Sequence, residues 1–226
     1  MIPLLEKIGS KHGTDKVLHG FLPIYENYLK DKRHDFLNLC EIGVFFGASI
    51  KMWGEYLPNS TIYGLDAFEG KQGNGSTFTN YRLFFDEVNN NQEKYPRIKL
   101  YKVDQSKKIE LEDFVKKCQN ENIKFDVIID DGSHLMFDQQ ITLYTLLPLV
   151  RSGGIYIMED LHTSFQKGYD IYPDGKNTTD SVLEKLNSNK TFDSVYLPKT
   201  DWSNYVKNID FYRIRKNSQT AIINVL

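Results

Sequence analysis

Short apolar runs rich in β-branched residues divide the chain, and most are followed at once by a carboxylate. The runs cover residues 37–42, 61–65, 98–103, 125–129 and 155–158. Runs of this length, bounded by turn residues, read as buried strands. Between them lie stretches with helical patterning at 48–56, 80–93, 109–121 and 137–149. Strands alternating with helices imply a parallel sheet joined by right-handed crossovers. Two further runs, 211–215 and 220–225, flank residues 216–218 and read as a hairpin. Such a hairpin adds an antiparallel edge to a parallel sheet.

The expected fold is therefore α/β: a Rossmann-like, doubly wound, mostly parallel seven-stranded sheet with a C-terminal antiparallel hairpin. Residues 1–35 read as an N-terminal arm or lid carrying one helix at 23–30, and 36–226 as the main domain. A glycine-rich loop is expected at 68–77 and a long loop at 160–178. Thr179 or Asp180 is placed as the cap of a helix running to about Leu186.

Composition narrows the partners. In 226 residues, 40% hydrophobic content is enough for one packed core. Lys+Arg 28 against Asp+Glu 30 argues against nucleic acid or an anionic membrane as the main partner. Cys40 and Cys118 fall in a strand-like and a helix-like segment and read as core residues, so a disulfide framework has no support. The first residues lack a long apolar stretch and a small-residue cleavage site, and no run approaches a membrane span. The cytoplasm is the expected location, and Asn74-Gly75-Ser76 is then a chance glycosylation triplet.

The acids at the strand ends carry the chemistry. In open α/β sheets ligands bind outside the carboxyl ends of the strands. Asp130-Asp131-Gly132-Ser133-His134 and Glu159-Asp160 follow the fourth and fifth runs, so several carboxylates and an imidazole converge there. Like charges at such proximity need a cation or a proton between them. A hard divalent metal, magnesium or manganese, is the simplest remedy. At the other end, the stretch from Glu41 through Gly43 and Gly47 to Ser49 reads as strand, glycine turn and helix start. Glycines allow close backbone approach to a ligand, and a helix N-terminus attracts an anionic group. Asp66 stands 25 positions after Glu41 (66 minus 41), at the end of the next strand, where an acid commonly binds ribose hydroxyls. The dinucleotide fingerprint G-x-G-x-x-G is absent.

With these residues in view, the chain resembles a class I S-adenosylmethionine-dependent methyltransferase. Within that superfamily it resembles the metal-dependent macrolide-sugar O-methyltransferases of the mycinamicin type. The resemblance rests on HGTDK at 12–16, EIGVFFGASIKMW at 41–53, IYGLD at 62–66, IIDDGSH at 128–134 and MEDLHTS at 158–164. It implies that Asp131, Glu159 and Asp160 hold magnesium and that His134, beside Asp131, is the general base. It implies a cofactor shell of Glu41, Gly43, Asp66 and Asp104, with Ser49, Gln105 and Asp130 as further members. Family glycine loops often carry a third small residue where Phe45 or Phe46 stands, so the loop departs from the pattern there. The longer family members carry an additional N-terminal domain. The acceptor it implies is a hydroxyl of a sugar or glycan-like molecule.

Several alternatives stay open on sequence alone. The same fold could methylate a catechol or a phosphorus-linked oxygen, or could be a non-catalytic nucleoside-binding module. A hydroxylase related to this fold ranks below these, because two-histidine-one-carboxylate spacing is lacking. Asp130 could equally be a turn residue. His162 could be a second base, a substrate contact or an ordinary loop residue. His12, Thr14, Lys16 and His19 divide evenly between a solvated arm and a lid over the cofactor. Phe165, Tyr169 and Tyr172 read as loop-pinning aromatics ahead of sugar-stacking ones, and Trp53 as core. A homo-oligomer is compatible with everything in the sequence.

Overall fold

In a computed structural model of the chain, the structure describes residues 2–70, 77–169 and 177–226. The five expected parallel strands are present: β1 (Asn38–Ile42), β2 (Thr61–Asp66), β3 (Ile98–Lys102), β4 (Phe125–Asp130) and β5 (Val150–Met158). The C-terminal pair β8 (Val206–Arg215) and β9 (Ser218–Val225) is the expected hairpin. Among the described residues these make a seven-stranded sheet in the order β3-β2-β1-β4-β5-β9-β8. β1, β2, β3, β4 and β5 pair in parallel, whereas β9 runs antiparallel to β5 and to β8. β6 (Thr191–Phe192) and β7 (Thr200–Asp201) form a small separate ladder that the sequence reading omits.

The central strands β1, β2 and β4 are buried on both faces, as parallel strands covered by crossover helices must be. On one face α4 (Ala48–Tyr56) and α5 (Leu83–Asn90) pack Trp53 and Val88 against Leu39, Val127 and Ile157. On the other, α6 (Lys108–Asn120), α7 (Met136–Leu146) and α8 (Thr179–Asn189) pack Phe114, Leu143 and Leu183 against Cys40, Ile128 and Tyr156. Each such fully buried aliphatic side chain contributes roughly 1.5–3 kcal/mol by leaving water. Cys40 and Cys118 are buried and unpaired, as expected of core residues.

The N-terminal segment holds more structure than the single expected helix. It forms α1 (Leu4–His12), α2 (Lys16–His19) and α3 (Leu22–Leu29), and Leu5, Phe21 and Tyr25 join the core around Trp53. Gly9 obscures α1 in the sequence because glycine disfavours helix interiors. In the fold it is needed: a Cβ there would stand 2.4 Å from Leu22 Cδ1. Gly13 ends α1 in the left-handed region at φ 74°, donating to the carbonyls of Gly9 and Ser10.

Other boundaries move for local reasons. The helix expected over 80–93 stops at Asn90, where the Asn91 and Gln92 side chains donate to the carbonyls of Glu87 and Val88. The helix expected to reach residue 149 ends at Leu146 and tightens into a 3₁₀ turn over Leu147–Leu149, because Pro148 has no amide to continue it. β5 starts at Val150 rather than 155, since Val150 already pairs with Phe125 across a bulge. The cap of α8 is Thr178, one residue before the expected position, its hydroxyl accepting from the Ser181 amide at 3.2 Å. Among the described residues no helix is long and apolar enough to cross a membrane.

Candidate active site

Backbone pairing continues past the strand ends and gathers the acids at one edge. The Asp131 amide donates to Ile42 O and the Glu159 amide to Asp130 O, each at 2.9 Å. Gly43 makes this approach possible. Its φ is 89°, and a Cβ there would stand 2.0 Å from Asp131 O. A cleft of about 300 Å³ opens along this edge. Gly43, Ser49, Asp66, Asp104, Gln105, Asp131 and His134 all line it. Gly13, Thr14 and Asp15 line it too, so the arm forms part of the wall.

Asp66 is held by nearby donors, with Oδ1 keeping room for a further one. Its Oδ2 accepts from the amides of Val44 at 2.9 Å and Phe45 at 3.2 Å and from the Tyr81 hydroxyl at 2.8 Å. Its Oδ1 accepts from the Phe68 amide at 2.7 Å. The glycine turn thus closes on Asp66, with Phe45 in the left-handed region at φ 52° and its ring against Phe46, Phe78 and Tyr81. This is how the chain accommodates two phenylalanines in a loop where family members often have a small residue. Asp104 accepts from the Ser106 amide and hydroxyl and pairs with Lys107 at 3.1 Å. Burial raises its pKa, but these partners outweigh it and hold the carboxyl below its usual range.

Glu41 and Asp130 do not line the cleft. Glu41 accepts from the Ser49 hydroxyl at 2.7 Å and faces Lys16 at 3.2 Å. Asp130 accepts from Gln105 and from the Tyr156 hydroxyl, both at 3.2 Å, and burial pushes its carboxyl up to about 7. Gln105 also accepts from the Ser133 amide, so it sets the turn that carries His134.

The cluster after β4 and β5 is the chemically active part. Asp131, His134 and Asp160 each offer a ligand atom, and these atoms lie within 4.8 Å of one another. His134 Nε2 stands 3.5 Å from Asp160 Oδ2. His134 Nδ1 and Asp160 Oδ1 are buried without a hydrogen-bond partner among the described residues. His162 Nδ1 and His19 Nδ1 flank Asp160 Oδ1 at 3.7 and 3.9 Å. Burial, reinforced by Asp131, raises the Asp160 pKa against the opposing pull of the histidines. His134 and Asp160 both take the left-handed backbone conformation, at φ 62° and 55°. Such residues cost roughly 1–3 kcal/mol each and collect at functional sites. The Thr163 hydroxyl lies 3.1 Å from His134 O and 2.8 Å from Asp160 O and pins both turns.

Glu159 sits differently. Its Oε1 accepts from the Lys16 ammonium at 2.9 Å, and Lys16 also contacts Asp131 Oδ2 and Glu41 Oε1. Burial would lower the Lys16 pKa, but the three carboxylates outweigh it and hold the amine protonated. Sequence reading leaves Lys16 undecided within HGTDK, a motif whose match to the family is the signal that marks it. Tyr81, hydrogen-bonded to Asp66, carries no such signal. Tyr172 lies outside the described residues. One ammonium set against Glu41, Asp131, Glu159 and Asp160 leaves surplus negative charge, and with the unpartnered Asp160 oxygen this donor set fits a divalent ion.

The sheet order, the acids at successive strand ends and the terminal hairpin define the class I methyltransferase fold. Within that class the chain's named relatives are sugar O-methyltransferases. It is 33% identical over 174 residues to an 8-demethyl-8-(2-methoxy-alpha-L-rhamnosyl)-tetracenomycin-C 3'-O-methyltransferase from Streptomyces olivaceus, covering 73% of this chain and 38% of that one. It is 29% identical over 195 residues to the mycinamicin VI 2''-O-methyltransferase of Micromonospora griseorubida, covering 82% of this chain and 43% of the relative. Among solved structures it superposes on MycE methyltransferase from the mycinamycin pathway, in complex with Mg, SAH and mycinamycin VI. That match has a TM-score of 0.73 and 25% identity over 99% of this chain and 54% of MycE. The chain thus spans about half the length of its relatives or less. No family model matches it.

Proposed function

We propose that the chain is a divalent-metal-dependent S-adenosylmethionine O-methyltransferase acting on a hydroxyl of a sugar or glycan-like acceptor. The observation that carries this is the meeting of Asp131, His134 and Asp160 at the mouth of a cleft walled by Gly43, Asp66 and Asp104. The likeness to MycE, whose complex holds Mg and SAH, supports the same pairing of cofactor and ion. Asp66 and Asp104 present carboxylates for the cofactor's hydroxyl and amino groups, and Gly43 lets the backbone approach it. Asp131 and Asp160, with Glu159 from beside Lys16, would hold magnesium or manganese. The sulfonium cofactor supplies, when bound, an electrophilic methyl group, and the divalent ion, when bound, makes the acceptor hydroxyl more acidic.

The protein's own part is positioning and proton removal. His134, with Nε2 3.5 Å from Asp160 Oδ2 and no hydrogen bond at Nδ1, lines the cleft and would take the proton of the acceptor hydroxyl. The deprotonated oxygen would then be the nucleophile for the methyl group that the bound cofactor supplies, with its sulfur as the leaving group. Asp160 opposite the imidazole stabilises the positive charge that His134 acquires. A small-molecule acceptor, the absence of a nucleic-acid role and a cytoplasmic site belong to this reading, as does a homo-oligomeric form.

The test is transfer of a labelled methyl group, with product mass spectrometry across sugars, glycans, nucleotide sugars, catechols and phosphorus-linked acceptors. Methylation of a sugar hydroxyl that stops in excess chelator is the expected result. Methylation confined to a catechol or phosphorus-linked oxygen would refute the acceptor class, and full activity in chelator would refute the metal. A second reading has the cluster geometry behind it: His134 as a ligand of the ion rather than the base. His134→Ala separates the two, because manganese affinity falls only if His134 is a ligand.

A further inference from the structure

Lys16 is 1% exposed, and its ammonium contacts the ends of three strands at once. Lysine is almost never fully buried unless paired. Its partners are Glu41 in β1, Asp131 after β4 and Glu159 after β5. The contacts to Asp131 and Glu159 bridge 115 and 143 positions of sequence. They bring the N-terminal segment into the acidic cluster, two residues beyond Thr14 in the cleft wall. Asp131 and Glu159 are also proposed metal ligands. An ammonium hydrogen-bonded to a ligand oxygen occupies a lone pair that a metal would use. Two cations on shared carboxylates also repel each other at short range in a poorly screened site.

We propose that Lys16 is a built-in monovalent cation that competes with the divalent ion for Asp131 and Glu159. In the metal-free protein its ammonium holds these carboxylates in place and offsets their repulsion. When the ion binds, it must take oxygens from Lys16, so the residue sets the metal affinity below what the bare carboxylates would give. Lys16 is a positioning residue in this scheme and touches neither methyl donor nor acceptor. The inference rests on the metal reading above.

The chain and its Lys16→Met variant are compared by manganese binding, read from the paramagnetic resonance of free Mn²⁺, and by thermal unfolding with and without the ion. The variant is expected to unfold at a lower temperature without metal, to bind Mn²⁺ at least about tenfold more tightly, and to gain more from added metal than the wild type does. Equal or weaker Mn²⁺ binding by the variant overturns the proposal. If the wild type binds no Mn²⁺, the metal reading itself fails, and the competition with it. Should Lys16→Met not fold, the wild type still decides. Its Lys16 ammonium nitrogen resonance is expected to shift as Mg²⁺ is titrated, and a resonance unchanged at saturation overturns the proposal.

Discussion

The two ends of the cleft hold their carboxylates in different ways. At the β2–β3 end the donors come from the same or neighbouring elements: Phe68 and Ser106 stand two positions after Asp66 and Asp104, and Tyr81, Phe45 and Val44 stand 15, 21 and 22 positions from Asp66. At the β4–β5 end the compensating cation, Lys16, arrives from 115 and 143 positions away, and Asp160 sits among three imidazoles. A carboxylate satisfied by neighbouring elements is settled as soon as those elements pair. One compensated from far away depends on the whole fold and keeps atoms without partners, which leaves room for an ion and for proton transfer. The first end is built to bind and the second to react.

The comparison is tested most severely at His134. His134→Ala is expected to lower turnover by roughly 10²–10⁴-fold, the scale of a positioned base, with cofactor affinity unchanged in calorimetry. Loss of cofactor binding instead would mean that the reactive end also shapes the binding end. Gly43 joins the two ends. Gly43→Ala places a Cβ 2.0 Å from Asp131 O in a backbone at φ 89°. It should cost roughly 2–3 kcal/mol of stability by denaturant unfolding, from strain and overpacking. An unchanged unfolding midpoint would show that the turn relaxes freely.

Asp66→Ala sharpens the binding end. It should weaken S-adenosylmethionine binding by roughly 1–3 kcal/mol, the range for charged hydrogen bonds, with little effect on manganese affinity. The smallest effect is at Asp104. Its folded pKa is lowered, so its contribution is present above the unfolded value of about 3.9 and is lost as pH falls through the lower folded value. The side chain is partly exposed, and screening keeps this below about 1 kcal/mol. Denaturant unfolding of Asp104→Ala and wild type should differ slightly near neutral pH and converge in strong acid.

Much of the fold and part of the site are legible in the sequence. The five parallel strands and the hairpin follow from apolar runs bounded by turn residues, and the acids that end those runs lie along one edge. Of the N-terminal helices α3 is legible, as the helix expected at 23–30, whereas α1 is not, because Gly9 breaks the helical signal and its close approach to Leu22 appears only in the fold. Glu41 and Asp130 fall at the right strand ends yet stand behind the cleft wall, bonded to its lining residues Ser49 and Gln105, since alternation along a strand does not say what lies in front of it.

The sequence by itself determined the strands of the main sheet and which residues stand at the carboxyl ends of the parallel ones, because periodicity and turn chemistry act over a few residues. Only the tertiary structure decided how the acids are paired. Apart from its place in HGTDK, Lys16 is one lysine among many in the sequence, and no local periodicity separates it from a solvated one. Packing of the N-terminal segment against α4 and the sheet buries it. Once buried, its charge has to find carboxylates, and those within reach are the ends of β1, β4 and β5.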